Sequence, residues 1–352
     1  MGKENKNLLV TFDYELYLGS KSGSVKDCML NPTNKMLPLL QEYDIKGIFF
    51  VDTTYLIKLK EQSANNKICL EDFDEVKSQL QRLSSEGHYI FPHIHPHWLD
   101  SIYDPESNQW SLNDVSKYRY TNNNENDRKL VFDESIDILF DILKETNDSV
   151  TLDSFRAGGW CIQPFTDFKP HFKSHNIKFD FSVQSGFYQF TDAQYFDFSD
   201  APSANIYRFE DDVCKQDKNG SFIEIKMNHI KIPKAIGKIN DIYFKLYNAI
   251  SGDHTFGKGQ GHASINDNSD DRPESNGFLM GSSHEERIAI ELMSPIKQHL
   301  YDKFWKHSDF MHFISHPKMI TNNHFKCFKK FLASTYSNYN VESDFKNMIS
   351  HL

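Results

Sequence analysis

Three histidines, His93, His95 and His97, stand within five residues of one another in a short apolar segment. Pro92 and Pro96 disfavour a helix there. In an extended segment, residues two apart point to the same side, so the three imidazoles can converge on one point. Neutral imidazole is the side chain that most often binds metals in proteins. The spacing therefore predicts a metal site in preference to a histidine-rich surface loop.

The composition is that of an acidic globular chain. The 352 residues are enough for a large core, hydrophobic residues make up 39%, and the formal net charge is -10. The sequence contains no basic stripe, so nucleic acid is not expected as a partner. The acidic charge disfavours binding to anionic membranes, and no segment predicts stable membrane insertion.

The cysteines bear on the compartment. All five are scattered, and none shows CxxC spacing. This pattern is typical of free thiols in a reducing compartment rather than of a disulfide framework. The N-terminal residues also lack the pattern of a secretory signal. We therefore expect a cytoplasmic protein.

Strand and helix patterns alternate along the chain. Short apolar runs predict strands, and apolar residues at helical spacing predict helices, for example over residues 131–144 and 287–305. This alternation is typical of parallel βαβ units. The expected fold class is α/β, as an irregular (β/α) barrel of about seven or eight mostly parallel strands with outer helices. A doubly wound open sheet is the alternative.

One domain is expected to span residues 1–352, because no change in composition marks a boundary. Two polar segments, residues 101–127 and 251–276, interrupt the alternation and are longer than ordinary connections. We interpret them as insertions that form lids, binding loops or disordered segments.

Polar residues that follow the predicted strands should share one rim of such a fold, where active sites lie. Asp13 and Glu15 follow the first strand, the histidines follow the third, and Arg156 and His316 follow later strands. Acidic, imidazole and guanidinium groups on one rim are typical of a metal-dependent hydrolase.

Five short motifs between residues 6 and 320 resemble, in order, those of the NodB-type polysaccharide deacetylases, which are metal-dependent carbohydrate esterases. The motifs are Thr11-Phe12-Asp13-Tyr14-Glu15, the His93 to His97 run, Phe155-Arg156-Ala157-Gly158-Gly159-Trp160, Asp180-Phe181-Ser182-Val183 and Phe313-Ile314-Ser315-His316. The resemblance implies removal of an N-acetyl group from an amino sugar with the help of a divalent metal ion, Zn²⁺ being the first expectation.

The resemblance also implies residue roles. Asp13 would be the catalytic base, Arg156 would hold it ionised, and His316 would be the general acid. In the alternative, purely structural interpretation, Arg156 forms an ion pair and His316 is a buried, hydrogen-bonded histidine. Asp180 would hydrogen-bond to His316 or to a group lining the substrate site, or else cap its strand.

The first motif departs from the family, because Tyr14 stands where the family has a metal-binding aspartate. We expect Glu15 to supply that ligand and Asp13 to act as the base, with the reverse assignment still open.

The choice of histidine ligands is open as well. The family's spacing selects His93 and His97, whereas strand geometry equally allows His93 with His95. His93 belongs to both sets.

The expected substrate is an acetylated amino sugar, lipid-linked or nucleotide-linked, in the biosynthesis of lipopolysaccharide or capsule. Trp98 and Trp160 lie near the predicted rim and suit stacking against a sugar, unless they belong to the core. Hydrolysis of another C–N amide bond, as in a formamide or a cyclic imide, is an alternative reaction for the same residues.

A catalytically silent carbohydrate-binding protein is the alternative from a different functional class, and Tyr14 motivates it. Retention of Asp13, the histidines, Arg156 and His316 favours an enzyme, because binding alone needs no acid, base and metal together. A phosphoesterase would need more carboxylates to hold two metal ions.

Overall fold

Strands and helices alternate through most of the chain in a computed structural model, which describes residues 3–19, 21–112, 115–191, 193–260, 274–275 and 283–350. The strands are β1 (Asn5–Tyr14), β2 (Ile48–Asp52), β3 (Tyr89–Ile94), β4 (Ile102–Asp104), β5 (Gln109–Ser111), β6 (Ser154–Ala157), β7 (Phe179–Asp180), β8 (Tyr188–Phe190), β9 (Tyr195–Asp197), β10 (Ile206–Phe209), β11 (Phe222–Ile225), β12 (His229–Pro233), β13 (Glu274–Ser275), β14 (Ser283–Arg287), β15 (Phe310–Ser315) and β16 (Asn340–Glu342). The α-helices are α1 (Asn31–Glu42), α2 (Thr53–Ser63), α3 (Lys67–Ser85), α4 (Glu125–Lys144), α5 (Lys169–Ser174), α6 (Lys234–Ser251), α7 (Gln298–His307), α8 (Asn322–Asn338) and α9 (Phe345–Ile349).

Nine of these strands form one curled sheet in the order β10–β11–β7–β6–β3–β2–β1–β15, with β16 beside β1. The pairs are parallel except β10 with β11. With helices around it, the sheet is an irregular α/β barrel, and the predicted fold class is confirmed.

The central strands are apolar along their length because both faces of the sheet are covered. In β1 the seven residues from Leu8 to Tyr14 are all buried, and every residue of β2 and β15 is buried as well. Parallel strands that are buried on both faces have continuous apolar runs rather than alternating ones.

A separate apolar core fills the inside of the curled sheet around Phe345 of α9. The ring centroid of Phe345 lies 5.3 Å from that of Phe179 and 5.4 Å from that of Phe181. The rings of Tyr89 and Phe91 also contact Phe345, edge to face. Because Tyr89 and Phe179 are the first residues of their strands, α9 covers the amino-terminal end of the sheet.

Parallel register aligns the polar residues at the opposite end. Asp52 at the end of β2 pairs with His93 of β3, and His93 pairs with Arg156 of β6. Asp13 of β1 pairs with Phe50 of β2, one residue pair before the end of this ladder. The strands therefore deliver acid, imidazole and guanidinium groups to one edge.

The helix predicted over residues 287–305 is wrong in its first half. Arg287 ends β14, and α7 begins only at Gln298. Pro295 lies between them, and proline both lacks the helical N–H and pushes the preceding residue towards extended backbone. The stretch before Pro295 is therefore available to line the site.

The first predicted insertion, residues 101–127, holds the antiparallel pair β4–β5 and short helical turns before α4 begins at Glu125. Much of the second, residues 251–276, lies outside the described residues. A single domain over residues 1–352 stays a prediction. None of the helices in the described ranges is long and apolar enough to cross a membrane.

We predict that Phe345→Ala lowers the free energy of unfolding by about 3–5 kcal/mol, because it leaves a cavity among four aromatic rings. Urea denaturation measures the effect. The control is Ile102→Ala, at a side chain that is 62% exposed, which should change stability by less than about 0.5 kcal/mol. Equal effects of the two changes would contradict a packed core around α9.

Candidate active site

A cavity of about 390 Å³ opens at the carboxyl ends of the central strands. Its walls include six of the residues that the sequence singles out. They are Asp13, Glu15, His93, His95, Trp160 and His316. The remaining wall is largely aromatic and amide side chains, together with three consecutive charged residues of β14.

Asp13 is anchored by a fully buried arginine. The Nη1 atom of Arg156 donates to Oδ1 of Asp13 at 2.5 Å, and Nη2 donates to Oγ1 of Thr11 at 2.8 Å. Nε donates to the carbonyl of Phe181, and the guanidinium lies 4.2 Å from the ring centroid of Phe50. Each of the three guanidinium nitrogens therefore has a hydrogen-bond partner, and one face of the cation is covered by an aromatic ring.

The charge on Asp13 follows from this pairing. Burial alone would raise the pKa of the carboxyl group, but Arg156, His93 and His316 outweigh it and hold the pKa below its ordinary value. Asp13 is therefore a carboxylate at neutral pH, with Oδ1 held by Arg156 and Oδ2 facing the cavity.

His93 is held in one tautomer. Its Nδ1 donates to the carbonyl of Arg156 at 2.8 Å, which leaves the lone pair on Nε2. That Nε2 lies 3.6 Å from Oε2 of Glu15. A backbone carbonyl that fixes the far nitrogen is the usual outer partner of a metal-binding imidazole.

His95 completes a group of three possible ligands. Its Nδ1 lies 3.6 Å from Oε2 of Glu15 and 3.3 Å from Oδ2 of Asp52. One donor atom each from Glu15, His93 and His95 lies within 4.8 Å of the other two. Oε2 of Glu15 and Nδ1 of His95 are buried with no hydrogen-bond partner. Two nitrogens and one oxygen so arranged fit a divalent metal ion such as Zn²⁺.

His97 does not belong to this group of three. The chain leaves the extended conformation after His95 and enters a 3₁₀ turn, Pro96–Asp100, so the two-residue alternation ends there. The His97 ring instead stacks on Tyr118, with the centroids 5.0 Å apart. Of the two pairs that the sequence allowed, the structure brings together His93 and His95, and the expectation for His97 as a ligand is corrected.

Tyr14 lies on the far side of the strand from the cavity. Its hydroxyl donates to Oε1 of Gln79 in α3 at 2.8 Å, and the side chain is buried in the core. Asp13 and Glu15, on either side of Tyr14, point the other way. The departure from the family's motif thus moves the second carboxylate by one residue and keeps it at the site.

Lys318 is a site residue that sequence reasoning missed. Its Nζ donates to Oε1 of Glu15 at 2.9 Å and to the carbonyl of Leu16. Burial opposes ionisation of Glu15, but the charge of Lys318 and the nearby imidazoles together hold its pKa well below the usual range. In the sequence, the one feature that points to Lys318 as a site residue is its position two residues after His316.

His316 is oriented by a second missed residue, Glu291. Its Nδ1 lies 3.0 Å from Oε1 of Glu291, and its Nε2 lies 3.5 Å from Oδ2 of Asp13. Burial would raise the pKa of Glu291, yet the hydrogen bond from His316 and the charge of Arg287 lower it to about 2. The sequence analysis missed Glu291 because it assigned residues 287–305 to a helix.

Asp180 does not contact His316, and that expectation is corrected. Its carboxyl group is fully buried, and it accepts from the Ser182 hydroxyl at 2.8 Å and from the Ser182 N–H. Glu224 of β11 is its neighbour across the sheet. Burial raises the pKa of both carboxyl groups, most strongly that of Glu224. Asp180 is the last residue of β7, so of the roles expected for it these contacts fit the cap of its strand.

The two tryptophans predicted to contact the sugar lie in different environments. Trp98 is fully buried against Tyr55 and Trp110, and its indole N–H donates to Asp52 at 2.6 Å. The prediction that Trp98 contacts substrate is therefore corrected, because a core residue cannot reach the cavity. Trp160 is half-buried and lines the cavity.

Comparison with known proteins supports the fold. No family model matches the chain, and no curated protein matches it by sequence. A protein of known structure from Mycobacterium smegmatis, described as a polysaccharide deacetylase, aligns with 99% of this chain and 90% of its own, with a TM-score of 0.50 and 12% identity.

A family 4 acetyl xylan esterase from Clostridium thermocellum, in complex with a cobalt ion, aligns with 43% of this chain and 48% of its own, at 18% identity and a TM-score of 0.21. This partial alignment supports no conclusion about the chain. The similarity to the Mycobacterium smegmatis protein shows the fold alone. The chain therefore has the fold of a NodB-type polysaccharide deacetylase with a strongly divergent sequence.

We predict that His95→Ala abolishes near-stoichiometric Zn²⁺ binding whereas His97→Ala retains it, because only His95 contributes to the group with Glu15 and His93. Equilibrium dialysis of untagged protein followed by metal analysis measures this. Circular dichroism checks that both variants fold. Equal loss in the two variants would contradict the assignment.

The depressed pKa of Glu291 predicts a pH-dependent contribution to stability. This contribution is fully present above the ordinary pKa of 4.5 and is lost as the pH falls towards about 2. Glu291→Gln should therefore lower the free energy of unfolding at pH 7. The difference from the unaltered protein should shrink by about 3 kcal/mol over that range. Urea unfolding at a series of pH values measures this, and a constant difference would contradict the pairing with His316.

Proposed function

We propose that the protein is a metal-dependent hydrolase that removes an N-acetyl group from an amino sugar. The observation that carries the proposal is the convergence, at one cavity, of a metal-ligand group and an acid–base pair. Glu15, His93 and His95 make up the first. Asp13 and His316 make up the second, with Oδ2 and Nε2 3.5 Å apart.

The ligand group and the acid–base pair have separate tasks. A divalent ion held by Glu15, His93 and His95 would lower the pKa of water and polarise the acetyl carbonyl. Asp13 takes the proton of the attacking water through Oδ2, because Arg156 occupies Oδ1 and keeps the group ionised.

His316 supplies the proton that the leaving nitrogen needs. Its Nδ1–H is directed at Glu291, so Nε2 faces the cavity and carries the transferable proton when the ring is an imidazolium. The Glu291 carboxylate fixes the ring's orientation, as a buried acid does for a catalytic histidine elsewhere. The products are acetate and a free amino sugar.

The rest of the cavity suits a sugar. Trp160, Phe187 and Phe196 offer apolar faces to the C–H side of a pyranose ring, and Gln189 and Gln194 offer amides to its hydroxyls. Aromatic faces next to side chains that can form hydrogen bonds are a combination that binds and orients a small molecule.

The precursor pathway and the compartment belong to the same proposal. We place the reaction in the cytoplasm, on a lipid-linked or nucleotide-linked precursor of lipopolysaccharide or capsule. All five cysteines are free thiols, which supports a reducing compartment.

The main argument for a catalytically silent carbohydrate-binding protein is weakened. That argument was Tyr14, whose side chain bonds to Gln79 in the core, while Glu15 supplies a carboxylate at the site. Hydrolysis of a formamide or a cyclic imide remains the nearest alternative, because the same acid, base and metal would serve it.

We predict that the Zn²⁺-loaded protein releases acetate from N-acetylated amino sugars, and that Asp13→Asn and His316→Gln each lower the rate about 10²–10⁴-fold. Acetate and formate are measured over a panel of N-acetyl, N-formyl and cyclic imide substrates. Asp104→Asn and His299→Gln, at exposed positions, are the matched controls and should keep the full rate.

Formate release, or opening of the imide, without acetate would replace the proposed substrate by the alternative amide. Absence of any hydrolysis by protein with bound Zn²⁺ would favour the silent binding protein.

A further inference from the structure

Helix α6 exposes an apolar stripe to solvent. Ile239, Ile242, Leu246 and Ile250 are 50%, 59%, 59% and 86% exposed. Their spacing of three, four and four residues places them within an arc of about 80° on one side of the helix. They are four of the eleven large hydrophobic side chains that are exposed among the described residues.

The opposite side of α6 is attached to the protein, so the stripe cannot simply turn inward. Asn240 is buried and accepts from the Ser294 hydroxyl at 2.6 Å. The Phe244 ring packs edge-on against His324, with the centroids 5.4 Å apart. A surface helix ordinarily turns its apolar side to the core, so an outward apolar stripe marks a contact surface.

Three lysines border this stripe along one edge. Lys234, Lys238 and Lys245 are exposed and fall within an arc of about 40°, next to the apolar side chains. Asp241 is the helix's sole acidic residue, so α6 has a net charge of +2 in a chain whose net charge is -10. No ion pair of these lysines is found in the part of the chain that the structure describes.

We propose that α6 lies flat on the surface of an anionic lipid bilayer. The apolar stripe would enter the boundary between headgroups and acyl chains, and the lysine edge would reach the anionic headgroups. The charge pattern favours this occupant, because an apolar arc edged by cations matches lipid that is apolar inside and anionic at its surface. The net negative charge of the whole chain predicts repulsion from an anionic bilayer. The positive charge of α6 lies at the proposed contact and outweighs that repulsion.

The attachment would bring one wall of the cavity near the membrane. Strand β12 leads directly into α6 and pairs with β14, which supplies Glu285, Glu286 and Arg287 to the cavity wall. At Gly237 of α6, a Cβ atom would lie 3.1 Å from the His284 ring, which shows how closely the helix and β14 pack. The proposal is independent of the proposed hydrolase activity.

Vesicle co-sedimentation of the full, untagged chain tests the proposal. We expect binding to vesicles of phosphatidylcholine with phosphatidylglycerol, weakening with added salt, and little binding to phosphatidylcholine alone. The double variant Ile242→Asp/Leu246→Asp should abolish binding. Replacing Lys234, Lys238 and Lys245 by Glu should weaken binding at least about fivefold for each lysine.

The matched control is the double variant Ile102→Asp/Leu130→Asp, which adds the same two charges at side chains that are 62% and 58% exposed outside α6 and should leave binding unchanged. Circular dichroism and thermal unfolding verify the fold of each variant. Absence of binding to either vesicle, or equal loss in the control, would overturn the proposal. A dimer in size-exclusion chromatography that Ile242→Asp/Leu246→Asp disperses, without lipid binding, would instead assign the stripe to a second copy of the chain.

Discussion

The buried guanidinium of Arg156 is the interaction on which the rest of the site depends. A charge of this kind is tolerated inside the sheet because Asp13, Thr11 and a backbone carbonyl satisfy its donors and an aromatic ring covers one face. Breaking such a pair by removing one partner typically costs about 3–5 kcal/mol, because the remaining charge is left buried and unpaired. The carbonyl of Arg156 also fixes the tautomer of His93, so one residue orients both the proposed base and a proposed metal ligand.

The two carboxylates of the first motif are used in the same way. Each has one oxygen held by a buried cation and the other turned towards imidazoles at the cavity. Asp13 is held by Arg156 and faces His316, whereas Glu15 is held by Lys318 and faces His93 and His95. This division keeps both groups ionised in a place where burial alone would protonate them, and it is consistent with the different tasks that we propose for them.

Net charge is an average over the whole surface, and α6 shows its limits. A count of acidic and basic residues predicts repulsion from an anionic bilayer, yet contact is made by a local patch within about a Debye length of the lipid. The apolar residues and the lysines of α6 are interleaved along the sequence. They sort into a stripe and an edge only because the segment is helical, and they face outward because the helix is attached through its other side.

The sequence by itself determined the alternation of strands and helices, and with it the α/β barrel and the edge where Asp13, Glu15, His93, Arg156 and His316 meet. These follow from local periodicity and from the rule that parallel strands end together. The tertiary structure decided which partner each residue meets. Lys318 reaches Glu15 across 303 positions, and Glu291 reaches His316 from a stretch whose sequence suggested a helix. The burial of Trp98 and the stacking of His97 on Tyr118 were likewise decided by packing. Local sequence fixes the direction of a side chain, whereas its neighbours come from distant segments that only the folded chain brings together.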